Sequence, residues 1–178
     1  YLKLPHTENI VIRGEFIIPK SVFENKYKMK FANPRNMVAG LINHKTINEA
    51  VFDMHFVSYE LIKPILIPSK QFDLLTSLNM KTVTHIKTDN ITNDKLSNLL
   101  VQWRQNDSYE NDGIIVANDD IYARKSGNPD HAFAFKMVLS EQIAEAKVTD
   151  VIWTPSKDGY LKPRVRIEPI NLGGVKIE

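Results

Sequence analysis

The chain has 178 residues, of which 43% are hydrophobic and 25% are charged, a composition typical of a globular protein and not of a disordered one. It contains no cysteine, which excludes disulfides and thiolate metal sites, and its five histidines lack the spacing of a metal-binding motif. The net charge of +2 arises within residues 147–178, where six basic residues outnumber four acidic ones, a hint of a polyanionic partner.

The chain carries no signal for a membrane. Its apolar runs all fall short of the ~20 residues that span a bilayer. The opening segment YLKLPHTENI has neither the basic start nor the apolar centre of a secretion signal. Because this segment also lacks an initiator methionine, we expect the chain to be part of a longer protein.

The first third of the chain predicts a strand, two helices and a second strand. NIVIRGEFIIPK has the residue pattern of a strand, and SVFENKYK predicts a short helix with Ser21 as its N-cap. FANPRNMVAG predicts a helix in which Asn33 is the N-cap, Pro34 the first helical residue and Gly40 lies near the end. VFDMHFVSYELI is rich in β-forming residues.

Two further helices and a turn follow. SKQFDLLTSLN and TNDKLSNLLVQWRQ are helical in pattern. The second segment places apolar residues at i, i+3, i+4 and i+7, namely Leu96, Leu99, Leu100 and Trp103. NDGIIVAN predicts a turn that leads into a short apolar strand.

The stretch PDHAFAFKM has the period-two pattern of a half-buried strand. Phe133 and Phe135 alternate with Ala132, Ala134 and Lys136, so one face is large and apolar. The other face consists of two methyl groups that end in an ammonium. Such a face leaves room for a ligand beside a positive charge.

After LSEQIAEAK, short strands separated by Pro, Gly, Asp and Ser replace the helices. We therefore predict two domains, residues 1–142 and residues 143–178. The fold class is α+β, with antiparallel sheets and flanking helices, followed by the opening strands of a small β-barrel. The second domain is too short for a closed barrel of five strands, so we expect it to be incomplete.

Five segments occur in an order that is typical of one enzyme family. They are IRGEF (12–16), FANPRNMVAG (31–40), DGIIV (112–116), AFAFKM (132–137) and the tail from VTDVIW onward. Each one alone has a plain structural interpretation, such as a surface strand or a capped helix. Together they resemble the adenylation domain of bacterial-type NAD-dependent DNA ligases, and the tail is similar to the start of the oligonucleotide-binding (OB) domain that follows it.

The resemblance implies an enzyme that transfers AMP from NAD to a lysine, then to the 5′-phosphate at a nick in duplex DNA, and then joins the strands. It implies NAD and Mg²⁺ as cofactors, with nicked duplex DNA, NAD or AMP, and the remainder of a ligase chain as partners. It implies an intracellular place of work, where DNA is replicated or repaired. Each step develops charge on phosphate oxygens, which fixed cations stabilise.

By the same resemblance, Lys136 contacts the α-phosphate of the adenylate and is a catalytic residue. Glu15 binds the ribose hydroxyls, and Arg35 binds the nucleotide or the DNA end with a planar guanidinium. Asp112 orients the nucleophile or holds Mg²⁺. The plain alternatives are a surface lysine with a buried stem for Lys136, and an ordinary Asn-Asp-Gly turn for Asp112.

A basic ridge is the candidate DNA contact. In PRVRIEP the arginines alternate with Val165 and Ile167, so the apolar pair is expected to face a core and both arginines the opposite side. The candidate residues are Lys157, Lys162, Arg164 and Arg166. A solvated β-sheet face is the alternative.

Three departures from the family pattern stand out. The nucleophile motif K-x-D-G belongs well before RGE, whereas the one Lys-Asp-Gly here, in SKDGYL, lies in the tail; the chain alone is therefore expected to form no adenylate. Ala117 and Asn43 stand where the family has a lysine and an arginine, and Lys125 or Lys45 could compensate. A non-catalytic DNA-binding or scaffold remnant, or an ATP-dependent ligase or capping nucleotidyltransferase, are the alternative functions.

Overall fold

The structure is a computed structural model that describes residues 9–137, 143–172 and 175–178. The chain forms two compact units that divide between residues 137 and 138. The predicted boundary, between residues 142 and 143, falls at the edge of a segment outside the described residues, so the domain limits 1–142 and 143–178 stay a prediction. Within the described ranges, every helix is too short or too polar to cross a bilayer.

The first unit alternates strands and helices. Its described elements are strand β1 (Val11–Ile17), helix α1 (Lys20–Lys26), helix α2 (Pro34–Ile42), a 3-10 helix (Glu49–Asp53), strand β2 (His55–Lys63), helix α3 (Pro68–Ser77), helix α4 (Asn93–Asn106), strand β3 (Ile114–Ala117) and strand β4 (Ala132–Phe135). β1 pairs with β2 and β3 pairs with β4, both antiparallel. These small antiparallel sheets and helices confirm the mixed α+β class.

Helix α2 begins as predicted and lies over the main core. The Asn33 side chain accepts a hydrogen bond from the Asn36 N–H at 2.8 Å, and Pro34 is the first helical residue. The helix packs against β1, and its Met37 is completely buried. The core cluster consists of Ile18, Phe23, Met37, Val38, Leu41 and Ala50.

Two local predictions are wrong. Ser21 is not the N-cap of α1, because the helix already begins at Lys20 and the Pro19 carbonyl accepts the hydrogen bond of the Phe23 N–H at 3.0 Å. The start of the β-rich segment is not a strand either. The Asn48 side chain caps a 3-10 helix by accepting from the Ala50 N–H at 2.9 Å, so β2 begins only at His55.

The predicted helices α3 and α4 are confirmed. In α4 the Thr92 side chain accepts from the Lys95 N–H at 3.2 Å, and the apolar stripe buries Leu96 and Leu100. Strand β4 is confirmed as well, but its apolar face is only partly covered, since Phe133 is 53% exposed. The period-two pattern shows that the two faces differ and does not show which face is buried.

The second unit consists of β-hairpins. Its described strands are β5 (Val148–Pro155), β6 (Leu161–Ile167), β7 (Ile170–Leu172) and β8 (Val175–Ile177), and β5 pairs with β6 and β7 with β8. The expectation that Val165 and Ile167 face a core is wrong for Val165, which is 50% exposed opposite Val151 at 42%, whereas Ile167 is partly buried. These two hairpins do not by themselves establish the predicted OB-type barrel.

Candidate functional site

The β3–β4 hairpin brings Asp112 and Lys136 together. Asp112 lies two residues before β3 and Lys136 directly after β4, and the strand register sets Ile114 opposite Phe135. The Lys136 ammonium donates a hydrogen bond to Asp112 Oδ2 at 3.1 Å. The two side chains are 63% and 64% exposed, so the pair is open to solvent and to ligands. Exposed pairs contribute only ~0–1 kcal/mol, which leaves the ammonium free to exchange partners.

Gly113 makes room for the aliphatic stem of Lys136. A Cβ atom on Gly113 would lie 2.9 Å from Lys136 Cγ and 2.9 Å from the Phe135 carbonyl oxygen. A side chain at this position would force the Lys136 stem or the Phe135 carbonyl to shift, so glycine is favoured where the stem passes the turn before β3. The turn is held by Asn111, whose side chain accepts a hydrogen bond from the Gly113 N–H at 3.1 Å.

The face of β4 that ends in Lys136 is built from small residues. Ala132 pairs with Ala117 and Ala134 pairs with Ile115, and paired residues of antiparallel strands share a face. Ala134 and Ala117 are exposed. The small alanines expected beside the ammonium are therefore present on β4, whereas on the β3 side of the same face Ile115 is 72% exposed.

Arg35 adds a second cation. It lies in the first turn of α2, directly after Pro34, and is exposed. The hydrogen bond from Lys136, together with the charges of Lys136 and Arg35, holds the pKa of the Asp112 carboxyl below its usual range. The charges of two cations thus act on one carboxylate, and the excess positive charge is suited to an anionic ligand.

Glu15 makes no direct contact with the Asp112–Lys136 pair among the described hydrogen bonds and ion pairs. It is an exposed residue of β1, opposite Val57 in the sheet, and β1 is the strand on which α2 packs. Among residues 9–137, no hydrogen bond or ion pair joins Glu15 to Arg35, Asp112 or Lys136. The structure therefore pairs Lys136 with Asp112 directly, places Arg35 where its charge acts on Asp112, and leaves Glu15 on another element.

Three arginines that the sequence did not single out make polar contacts around the site. Arg13, in the RGE segment, pairs with Glu60 at 3.1 Å, and Glu60 also pairs with Arg124 from the β3–β4 loop. Arg104, at the end of α4, donates hydrogen bonds to the carbonyl oxygens of Asn111, Asp112 and Met137. A basic residue in the last turn of a helix was the only available signal for Arg104, and many helices have one.

The described residues do not build a metal cage. They contain no group of three or more histidine, aspartate or glutamate side chains that could hold an ion. The Asp112 carboxylate is paired with Lys136. Mg²⁺ in phosphate chemistry is usually held by one or two carboxylates together with waters and substrate phosphates, so Asp112 is the residue here that would hold it, and no chemical step is derived through the ion.

The structure shows what surrounds Ala117 and Asn43, the two positions at which the family pattern has a lysine and an arginine. Ala117 lies on the same face of the hairpin as Lys136, so the missing lysine would have pointed to that face. Asn43 caps α2, with its Nδ2 donating to the Ala39 carbonyl at 2.8 Å. Of the candidate replacements, Lys125 lies 3.6 Å from Asp130, and Lys45 lines an apolar hollow after α2.

The predicted DNA ridge lies in the second unit. Lys162, Arg164 and Arg166 alternate along β6 and are all exposed, and Lys157 is exposed in the turn after β5. Arg164 and Arg166 also line a hollow that contains Glu168 and Glu178, so the surface is of mixed charge.

The Lys-Asp-Gly sequence forms that same turn. Gly159 has a φ of +83°, and the Ser156 N–H donates to the Tyr160 carbonyl at 2.7 Å, which closes the β5–β6 hairpin. The sequence Lys-Asp-Gly therefore has a structural reason here, because only glycine adopts this backbone conformation without strain.

Comparison with known proteins gives a consistent result. The model of the family "NAD-dependent DNA ligase adenylation domain" matches residues 2–138. A DNA ligase of Acanthamoeba polyphaga mimivirus is 38% identical over 96% of the chain, a relative from Invertebrate iridescent virus 6 is 35% identical over 95%, and a DNA ligase of Ehrlichia canis (strain Jake) is 31% identical over 97%. The chain spans only 27%, 29% and 28% of the length of these three relatives.

Proposed function

The chain belongs to the NAD-dependent DNA ligase adenylation domain family, and from this premise we propose that it is part of an enzyme that seals nicks in duplex DNA with NAD as the AMP donor. The observation that carries the proposal is the exposed Lys136–Asp112 pair, 3.1 Å apart, with Arg35 acting on the same carboxylate. Such a site of excess positive charge stabilises the charge that develops on phosphate oxygens during AMP transfer.

In this proposal Lys136 releases Asp112 and binds the α-phosphate of the adenylate. This exchange of partners costs little free energy because the Lys136–Asp112 pair is exposed. The small residues Ala132 and Ala134 leave space for the phosphate. Once the nucleotide excludes water, the ammonium acts at a lower effective dielectric constant and its attraction to phosphate increases. Asp112 is then free to orient the attacking group.

The remaining roles follow from position. Arg35, exposed at the start of α2, binds the nucleotide or the DNA end, and a guanidinium can do so with two parallel hydrogen bonds. Glu15 accepts hydrogen bonds from the ribose hydroxyls. Asp112 is the residue that would hold Mg²⁺, through which no step is derived, and the lysine that receives AMP is assigned to no residue of this chain.

The second unit contributes DNA contacts in the same proposal. The exposed side chains of β6 and its turn, Lys157, Lys162, Arg164 and Arg166, bind backbone phosphates as the start of an OB-type barrel. Weaker binding at higher salt is the signature of this role. The substrate, nicked DNA, places the work of the protein where DNA is replicated or repaired inside the cell.

A non-catalytic DNA-binding or scaffold function is the second candidate. It is favoured by Ala117, which removes a cation from the face that Lys136 occupies, and by Asn43, which serves as a helix cap. Loss of one charge-stabilising group commonly lowers a rate ~100-fold. In this case the protein would bind a nick without sealing it.

The test uses the full-length protein that contains this chain and a duplex with one labelled 5′-phosphate at a nick. We expect sealing with NAD and none with ATP. Lys136→Ala should lower the sealing rate at least ~100-fold. Lys70→Ala is the matched control, because Lys70 is 65% exposed and likewise pairs with a single aspartate, at 2.9 Å.

Three results would contradict the proposal. Sealing with ATP in place of NAD would assign the protein to the ATP-dependent alternative. Near-normal sealing by Lys136→Ala would remove Lys136 from the site. Binding of the nick without sealing, in the presence of NAD, would favour the scaffold function.

A further inference from the structure

One carboxylate connects the β1–β2 sheet to the loop of the β3–β4 hairpin. Glu60, in β2, pairs with Arg13 of β1 through Oε2 at 3.1 Å, and its Oε1 accepts a hydrogen bond from Arg124 in the loop. Among the hydrogen bonds and ion pairs of residues 9–137, only the contact between Glu60 and Arg124 joins that sheet directly to the hairpin or its loop.

The loop that carries Arg124 is also held by contacts of its own. The Tyr122 ring stacks on the His131 ring with 3.9 Å between their centroids, and Asn118 Nδ2 donates a hydrogen bond to the Tyr122 hydroxyl at 2.5 Å. Asn118 directly follows β3, and His131 directly precedes β4. Because Arg124 is only two residues from Tyr122, fixing Arg124 also restrains the two strands.

We propose that Glu60 is a positioning residue of the candidate site, which acts through Arg13 and Arg124. By connecting the sheet to the hairpin, it sets the separation of Glu15 from Lys136. Arg13 and Glu15 are two positions apart on β1, so their side chains leave the same face of the strand. The inference rests on the proposed function, in which Glu15 binds the ribose and Lys136 the phosphate of one nucleotide. Both can act on that nucleotide only while the distance between them is fixed.

The exposure of this network predicts an effect on placement without unfolding. The side chains of the two arginines are 48% and 49% exposed and that of Glu60 is 30% exposed. A single exposed ion pair contributes little to stability, whereas several charges in one network can hold a geometry. The second anchor of the loop, Asp119, binds side chains outside the β1–β2 sheet. A variant of Glu60 should therefore release the loop from the sheet and leave that anchor in place.

The first readout is steady-state sealing by the full-length protein, with KM measured separately for NAD and for nicked duplex DNA. Glu60→Gln and Arg124→Gln should each raise the KM for NAD about threefold to tenfold, with a smaller change in kcat, because the contacts to the nucleotide form before the chemical step. The double variant should lose no more than the more affected single variant, since both changes remove one contact. Arg124→Lys should recover part of the loss, because an ammonium can still pair with Glu60.

Glu24→Gln is the matched control. Glu24 is 54% exposed and pairs at 2.6 Å with Lys28, four residues along the chain, so its loss disconnects no sheet from another. This variant should stay within about twofold of the wild type. An unchanged KM for NAD in Glu60→Gln, an equal rise in Glu24→Gln or additive losses in the double variant would overturn the inference. A rise in the KM for DNA in place of that for NAD would also overturn it, because Arg124 would then be a DNA contact.

The second readout needs neither NAD nor DNA. Trypsin cleaves after arginine, so the rate of cleavage of the full-length protein after Arg124, followed by mass spectrometry, reports how often the loop leaves the sheet. Cleavage there should be about threefold to tenfold faster in Glu60→Gln than in the wild type or in Glu24→Gln. An unchanged rate would show that Glu60 does not hold the loop. If the wild type does not seal nicks, the proposed function fails, and the cleavage rate alone decides whether Glu60 connects the sheet to the hairpin.

Discussion

The two sheets of the first unit are held by different forces. The β1–β2 sheet is flanked by a core in which Ile18, Met37 and Leu61 are almost wholly excluded from water. The β3–β4 hairpin buries Ile114 but leaves Ile115 72% exposed, and polar side chains hold it in place.

The polar contacts act at three points of the hairpin and its loop. Arg104 binds the base, Arg124 in the loop pairs with Glu60, and Asp119 in the loop accepts hydrogen bonds from Ser69 and Lys87. Apolar burial is strong and non-directional, whereas a hydrogen bond is weaker but fixes a geometry. The comparison suggests that one sheet supplies stability and the other supplies the position of charged groups.

Core substitution should give the largest effect. Met37 is 0% exposed, so Met37→Ala should lower the free energy of unfolding by about 2–5 kcal/mol, because it removes buried apolar volume and leaves a cavity. Urea denaturation measures this. Met29, which is 98% exposed, is the control, and Met29→Ala should stay within about 0.5 kcal/mol of the wild type. Equal costs for the two methionines would contradict the division between the sheets.

Much of the first sheet and its helices was predictable because the signals are local. Asn33 and Pro34 specify the start of α2 within two residues, and the leucine stripe specifies α4. The prediction of Ser21 as N-cap was wrong because a capping residue type does not by itself fix where a helix starts. Helix α1 starts earlier, with Pro19 as its N-cap residue. The exposure of Phe133 could not be predicted, because a strand pattern carries no information on what covers each face.

The second prediction tests the site hairpin with a single methyl group. Gly113→Ala places a Cβ 2.9 Å from the Phe135 carbonyl and from the Lys136 stem, so the strands or the lysine must move. We expect a loss of about 1–3 kcal/mol in unfolding free energy, together with slower sealing by the full-length protein.

Gly40→Ala is the control for that methyl group. Gly40 lies inside α2, and an added Cβ there meets no atom within 4 Å. Alanine should therefore stabilise the helix by about 0.5–1 kcal/mol. If Gly113→Ala were as stable as Gly40→Ala, the close crossing of Lys136 over the Asp-Gly turn would be wrong.

Prediction of the site was uneven for a physical reason. Lys136, Asp112 and Arg35 lie in motifs whose order along the chain is specific to a family, and the fold pairs Lys136 with Asp112 and lets the charge of Arg35 act on that carboxylate. Arg104 and Asp119 bind partners far away in sequence, Met137 for the first and Ser69 for the second. A side chain that bonds a distant backbone atom leaves no periodic trace, so only the structure reveals it.

The smallest expected effect concerns Asp119 in the β3–β4 loop. The test is how its contribution to the free energy of unfolding changes with pH. Asp119 accepts hydrogen bonds from Lys87 at 2.5 Å and from the N–H and hydroxyl of Ser69 at 2.8 Å each. The hydrogen bond from Lys87, followed by that from the Ser69 backbone, lowers the pKa of Asp119 from 3.8 to about 2. A carboxyl with a depressed pKa in the folded state stabilises it fully above its unfolded pKa, and this contribution disappears as the pH falls through the folded pKa.

Asp119→Asn should therefore lower the unfolding free energy by about 1 kcal/mol near neutral pH, and the difference from the wild type should shrink between about pH 4 and pH 2. Urea denaturation at a series of pH values measures the difference directly. Asp130→Asn is the control, because Asp130 is 90% exposed and lies 3.6 Å from Lys125, so that variant should show a difference near zero throughout. A pH-independent cost for Asp119→Asn would mean that shape, and not charge, anchors the loop, and the contrast between an apolar sheet and a polar hairpin would lose one of its three supports.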